Sequence, residues 1–307
     1  MKFHLNPIVK KDLQVTSRSM RLSWGLFGYE AVLTLAFLGV MLIIQAEGNS
    51  VYGGSNLYSY LIYLFPVLAV SQVGIVALIT PIITASSISG EKERQTFDIM
   101  LTTCMSPFSI VLGKVISAVL HILFYVAGSL PIMALSFVVG GMSWMNLLYF
   151  ILAITLFATF SGSIGIYCSS VCRKSITSVI LSFVFYFVIY GMSFLLTLVD
   201  MLIRWQGSSG GQYYAGEAML FLLFNPIVFF EEFFMQLMTG GSLMAEADFS
   251  LKDVGVVTYA LAHGKAWMFV SAACILLMSL LFMLAAAWNV NPMHSGSGRR
   301  RVKKKVG

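Results

Sequence analysis

Residues Ser87–Lys114 read SISGEKERQTFDIMLTTCMSPFSIVLGK, three acids and three bases set between two long apolar runs. A charged break of this kind divides what precedes and follows it into separate membrane-spanning helices. The composition agrees: the 307 residues are 58% hydrophobic and 10% charged, with a mean hydropathy of +0.87. That excludes a soluble domain of ordinary make-up. A hydrocarbon core of about 30 Å asks for about 20 apolar residues per helix. Working outward from the break, such runs occupy Leu61–Ile88 and Val115–Val139, then Trp24–Gln45, Leu147–Val171, Ile176–Val199 and Trp267–Val290. They lack the apolar/polar alternation of barrel strands, so the expected fold is an all-α membrane protein with six transmembrane helices.

Lys and Arg set the expected orientation. All of the 19 bases except Arg204, Lys252 and Lys265 fall in the first tail, the Ser87–Lys114 break, the Arg173-Lys174 pair or the last tail. Both termini are therefore expected on the cytoplasmic side. The net charge of +6 follows from that bias and from the tail RRRVKKK at Arg299–Lys305, so membrane lipid is the expected partner of the basic clusters and nucleic acid is not. A polar, basic stretch precedes a first run long enough to span, which argues against a cleaved signal.

The tail over 1–23 mixes Leu5, Ile8, Val9, Leu13 and Val15 with Lys10, Lys11, Arg18 and Arg21, the pattern of an interfacial helix. Residues 200–264 are expected on the external side. They are acidic and Gly-rich, and Ala218–Phe230 is apolar but short and interrupted by Pro226, which suggests a re-entrant pair before the last span. The segment 291–307 is a basic cytoplasmic tail. Of the four cysteines, Cys104, Cys168, Cys172 and Cys274, none falls in an external loop, so no disulfide framework is expected. Cys168 and Cys172 read as small packing residues.

Within the break, Gln95–Met105 has helical periodicity. Phe97, Met100, Leu101, Cys104 and Met105 share one face, with Glu91 and Glu93 near the expected N-terminus. Ser106-Pro107 supplies a stop and a fresh start, Ser as N-cap and Pro at the first helical position. The periodicity fits a helix lying in the headgroups, one capping the bundle, or one seated in a partner's groove.

The order Glu-x-Glu-Arg-x-Thr, an apolar helix, Ser-Pro, then Gly-Lys resembles the loop between the second and third spans of ABC-2 type transporter permeases. The resemblance extends to the interfacial helix, the six spans and the external re-entrant segment. It implies one permease domain over 1–307, in a bacterial cytoplasmic membrane, with residues 89–109 as a coupling loop resting on a separate ABC ATPase. Glu91, Glu93, Arg94, Thr96, Phe97, Met100, Leu101 and Met105 would then form the ATPase-coupling set. It further implies export of an amphipathic substrate (a peptide, a drug or a lipid-like molecule) by two copies of the chain. The family commonly has Gly where this chain has Gln95, so the turn there is expected to be more helical.

No Gly-x-x-x-x-Gly-Lys-Ser/Thr occurs: Gly113-Lys114 is followed by Val115 and has Phe108 where the first Gly belongs. Any ATP is thus expected on the partner subunit, with no cofactor on this chain and no catalytic or metal-ligating set. Lys114 reads as a snorkelling base at a helix start. Glu30 and His121, both inside spans, are candidates for a substrate pathway, weighed against pairing of Glu30 with Arg21 and simple packing of His121. An ion-coupled transporter or channel would need more intramembrane charges than these. A membrane immunity or sensor protein is the other alternative.

Overall fold

The computed structural model describes residues 7–17, 19–48, 64–97, 106–140, 143–207, 217–241, 261 and 266–291. Every regular element among them is a helix. In chain order they are α1 (Pro7–Ser17), α2 (Met20–Gly48), α3 (Leu64–Glu93), α4 (Pro107–Gly140), α5 (Trp144–Val171), α6 (Ser175–Gly207), a 3-10 helix (Glu217–Phe224), α7 (Pro226–Thr239) and α8 (Ala266–Val290). Six of them, α2 to α6 and α8, are long and apolar enough to cross a membrane, so the chain is a multi-pass membrane protein.

The helices overrun the apolar runs. α3 continues five residues past the expected end at Ile88, through Glu91, Lys92 and Glu93, and α4 begins at Pro107 rather than Val115. The reason is that their polar ends are satisfied inside the protein. The tail is likewise shorter in its first helix than the pattern of 1–23 suggests, because α2 already starts at Met20. The basic segment 292–307 and the loop 49–63 lie outside the described residues.

The chain divides into two compact units, Met1–Val179 with Leu281–Gly307, and Ile180–Leu280. In the first, α3 packs most extensively on α5. Small residues allow it, since lipid gives no hydrophobic drive and helices in membranes associate by close backbone packing. A Cβ added at Gly165 of α5 would sit 1.9 Å from Thr84 Oγ1 and 3.3 Å from the Ala85 backbone nitrogen. One turn on, Ser169 Oγ accepts from the backbone N–H of Ile88 (2.9 Å) and of Ser89 (2.8 Å). α4 is the central helix, with 61% of its apolar window buried, whereas α2 has 11% and faces outward.

In the second unit, the 3-10 helix and α7 form a broken pair bent by 93° at Asn225. The break falls where Pro226 interrupts the apolar stretch, and a bend of this size fits a broken span as well as the expected re-entrant pair. Asn225 is fully buried and caps α7, its Oδ1 accepting from Ile227 N–H (2.9 Å) while its Nδ2 donates to Ser193 Oγ (2.7 Å). Met219, Leu222, Leu223, Val228 and Trp267 form the core beneath the bend. Glu246, Lys252, Asp253 and Lys265, part of the expected external segment, lie outside the described residues.

Gly165→Ala is expected to lower stability by about 1–3 kcal/mol through forced separation of α3 from α5. Gly162→Ala, where the added methyl meets Thr84 Cγ2 at an ordinary 3.6 Å, is expected to be near neutral. Thermal unfolding of the purified variants in detergent distinguishes the two.

Candidate functional site

The three charges at the end of α3 point to three different helices. Glu91 Oε1 accepts from Lys114 Nζ of α4 at 2.8 Å. Lys92 Nζ donates to the carbonyls of Ser169 (3.4 Å), Ser170 and Cys172 (3.3 Å), the last carbonyls of α5 and its cap. Those groups have no partner within their own helix, and a cation there complements the helix dipole. Glu93 accepts from Ser175 at the start of α6, through Ser175 N–H to Oε1 (3.1 Å) and Ser175 Oγ to Oε2 (2.7 Å). Glu93 does sit where a helix start favours negative charge, but that helix is α6. Both Glu91 and Glu93 lie in the last turn of α3, not in the first turn of a coupling helix.

Lys114 is the deepest of these charges, 6% exposed, and it holds a second carboxylate, Asp12 Oδ2 of α1 at 3.3 Å. The snorkelling reading is therefore corrected: Lys114 lies two turns inside α4 and is closed over by α1 and α3. Burying an ammonium is costly unless it is paired, and two partly buried carboxylates supply the compensation. Asp12 is the only acid before Glu30 in an otherwise basic tail. That single acid is the one sequence signal of a partner for Lys114 in the tail.

Beyond Glu93 the chain turns sharply. Thr96 N–H bonds to Glu91 C=O (3.0 Å) and Gln95 N–H to Lys92 C=O (3.2 Å), with Gln95 at φ 58. This is the paired 6→1 and 5→2 pattern that ends a helix with a left-handed residue. The expectation of a more helical turn at Gln95 is thus overturned: Gln adopts the conformation that Gly takes without strain, because both terminating hydrogen bonds require it. Thr96 Oγ1 also donates to Glu91 C=O (3.3 Å). Phe97 turns back into the first unit, 9% exposed among Ile88, Val111, Val115, Ile166, Met283, Ala286 and Val290. Its ring lies 5.7 Å from Lys92 Nζ, a cation–π contact.

Phe97 is therefore an anchor for the loop. Met100, Leu101, Cys104 and Met105, the rest of the expected apolar face, lie outside the described residues. The restart is as expected, with Ser106 Oγ accepting from Ser109 N–H (3.2 Å) and Pro107 opening α4.

A cavity of about 330 Å³ adjoins Lys114, walled by Lys11 and Asp12 of α1, Glu91 and Arg94 at the end of α3, and His121 of α4. His121 is 8% exposed, and its Nε2 has no hydrogen-bond partner among the described residues. Glu30 is elsewhere. A Cβ on Gly128 would approach its Oε1 to 2.9 Å, so the glycine makes room for the carboxylate between α2 and α4. Its expected partner Arg21 has a side chain outside the described part. Glu30 and His121 thus do not form one site. Among the described residues no group of three or more His, Cys, Asp or Glu is placed to hold a metal. Cys168 is buried and unbridged, in keeping with a packing role.

Chemically the arrangement is a clamp with a polar cavity. Gln95→Gly is expected to raise the unfolding midpoint, by the equivalent of about 1 kcal/mol, through relief of the left-handed conformation. Gln95→Val is expected to lower it, as seen by thermal unfolding.

Residues 44–288 match the family described as ABC-2 family transporter protein. No curated protein matches the chain.

Proposed function

This chain belongs to the ABC-2 family of transporter proteins, and we propose that it is the permease of an ATP-driven exporter in a bacterial cytoplasmic membrane, working as two copies with a separate ATPase. The family supplies a membrane permease of ABC transporters, which generally works with an ABC ATPase partner. The charged end of the first unit, with both termini, faces the cytoplasm in this reading, in line with the distribution of Lys and Arg. ATP binds to the partner. The substrate is amphipathic, a peptide, drug or lipid-like molecule, and leaves outward.

The observation that carries the coupling part is the clamp at Glu91, Lys92 and Glu93. The connection between α3 and α4 starts from a turn whose three preceding residues grip α4, α5 and α6, with α1 held through Lys114. A push on that connection moves several helix ends together. The ATPase would drive it by binding the loop unequally in its two nucleotide states, since only a differential contact shifts a conformational equilibrium. Met100, Leu101 and Met105 are the side chains assigned to that contact. Glu91, Glu93, Thr96 and Phe97 hold the loop in place, and the exposed Arg94 belongs with the residues that would meet the ATPase.

Leu101→Asp is expected to abolish co-purification of the ATPase and to lower ATP-dependent transport at least about tenfold, with the unfolding midpoint unchanged. Transport and association equal to those of the unsubstituted chain would remove the coupling assignment.

A further inference from the structure

Glu30 is an acid set well inside a span, and no cation among the described residues answers it. It lies eight residues beyond Leu22, where the span of α2 begins, so about 12 Å from that end. The ion pairs of the described residues both belong to Lys114, which precedes the Gly128 that faces Glu30 by about 21 Å of helix. Arg21 is nine residues from Glu30 on the same helix, half a turn out of phase and about 14 Å along the axis, so the two do not face each other. A carboxylate alone at that depth is costly, and such a group marks a pathway or a partner.

The packing leaves this carboxylate at the edge of a groove between α2 and α4. The two helices approach closely at glycines: a Cβ on Gly25 would stand 2.7 Å from Tyr125 Oη, and one on Gly128 would stand 2.9 Å from Glu30 Oε1 and from Leu26 Cδ1. Tyr29 is buried with its hydroxyl beside Gln72 and Ser129, which fixes the rotation of α2. Glu30, the next residue, is thereby set at the margin and is part-exposed. Its Oε1 is buried against α4 but its Oε2 is not, so Oε2 is the atom that a ligand meets. On the open side stand Phe27, one turn before Glu30 and 67% exposed, and Phe124 of α4, one turn before Gly128 and 52% exposed. A second acceptor adjoins them. Pro131 has no N–H, so the Ala127 carbonyl lacks its partner within α4, and Ala127, next to Gly128, is exposed.

Two acceptors, one of them a carboxylate, bordered by aromatic and apolar surface, suit an N–H cation carried on a hydrocarbon chain. A neutral or anionic head leaves the carboxylate unanswered. A divalent metal ion needs six or so oxygens, and the groove offers two. We propose that this groove binds a primary-ammonium amphiphile, whose ammonium donates to Glu30 Oε2 and the Ala127 carbonyl while its chain lies against Phe27 and Phe124. The proposal rests on the reading of the chain as an exporter of an amphipathic substrate, and narrows that substrate to a cationic one.

The test uses the purified full-length chain in neutral detergent, without ATP or ATPase, so its failure is distinct from failure of the coupling assignment, which Leu101→Asp addresses. Dodecylammonium, dodecanol and dodecanoate are offered at equal concentration, and retention is read by native mass spectrometry. The ammonium is expected to be retained about tenfold over the other two, the scale of a charge-assisted hydrogen bond. Glu30→Gln, which keeps the shape and removes the charge, is expected to bring it down to the dodecanol level with the unfolding midpoint kept. Glu231→Gln, at an exposed acid of α7, is expected to leave the preference intact. Equal retention of the three amphiphiles by the unsubstituted chain, as for a carboxyl that simply carries a proton, overturns the proposal. So does a preference that survives Glu30→Gln, or one that Glu231→Gln removes as fully.

Discussion

A buried ammonium in an apolar helical bundle has to be answered by carboxylates, and Lys114 is answered twice, by Glu91 at 2.8 Å and Asp12 at 3.3 Å. Everything at the charged end of the first unit is arranged around that requirement. To reach Lys114, Glu91 has to lie on a helix that runs beyond its apolar stretch, so α3 carries on to Glu93. Reaching it from the other side, Asp12 keeps α1 folded against α4. The pair is worth little as a source of stability by itself, because desolvation consumes most of the Coulomb gain. Its consequence is geometric: three helices are fixed in one register.

Once α3 is extended, Lys92 and Glu93 fall beside two helix ends of opposite polarity. The ammonium meets the last carbonyls of α5, and the carboxylate meets the first N–H of α6, each where the helix dipole favours it. The left-handed Gln95 then redirects the chain, and Phe97 buries itself to fix the new direction. Local sequence, packing and the proposed coupling role are therefore linked through one short segment. A loop rooted in four helices transmits a displacement, where a loop rooted in one would only bend.

Much of this fold was legible in the sequence. The six spans follow from what a bilayer asks of a helix, and Asn225-Pro226 and Ser106-Pro107 announced a break and a restart through local cap chemistry. The unread parts depend on residues far apart in the chain. Lys114 looked like a snorkelling base because Asp12 stands about a hundred residues away, and no periodicity connects them. Phe97 matched the spacing of an amphipathic face, yet its partners are on α4, α5 and α8. The turn at Gln95 ran against residue preference, since Gly would be the expected choice for a positive φ. In each case a tertiary contact outweighed the local signal. The proposal that Met100, Leu101 and Met105 face the ATPase rests on spacing and resemblance.

The central claim is that Lys114 and Glu91 act as one unit that holds α3 to α4. A double-mutant cycle of Lys114→Met, Glu91→Gln and their combination, read by thermal unfolding of the full-length protein, tests it most directly. Lys114→Met leaves Glu91 without its cation and Glu91→Gln leaves Lys114 with Asp12 alone, so the account predicts a combined loss smaller than the sum of the two by about 1–3 kcal/mol. Losses that add to within about 0.5 kcal/mol would contradict it.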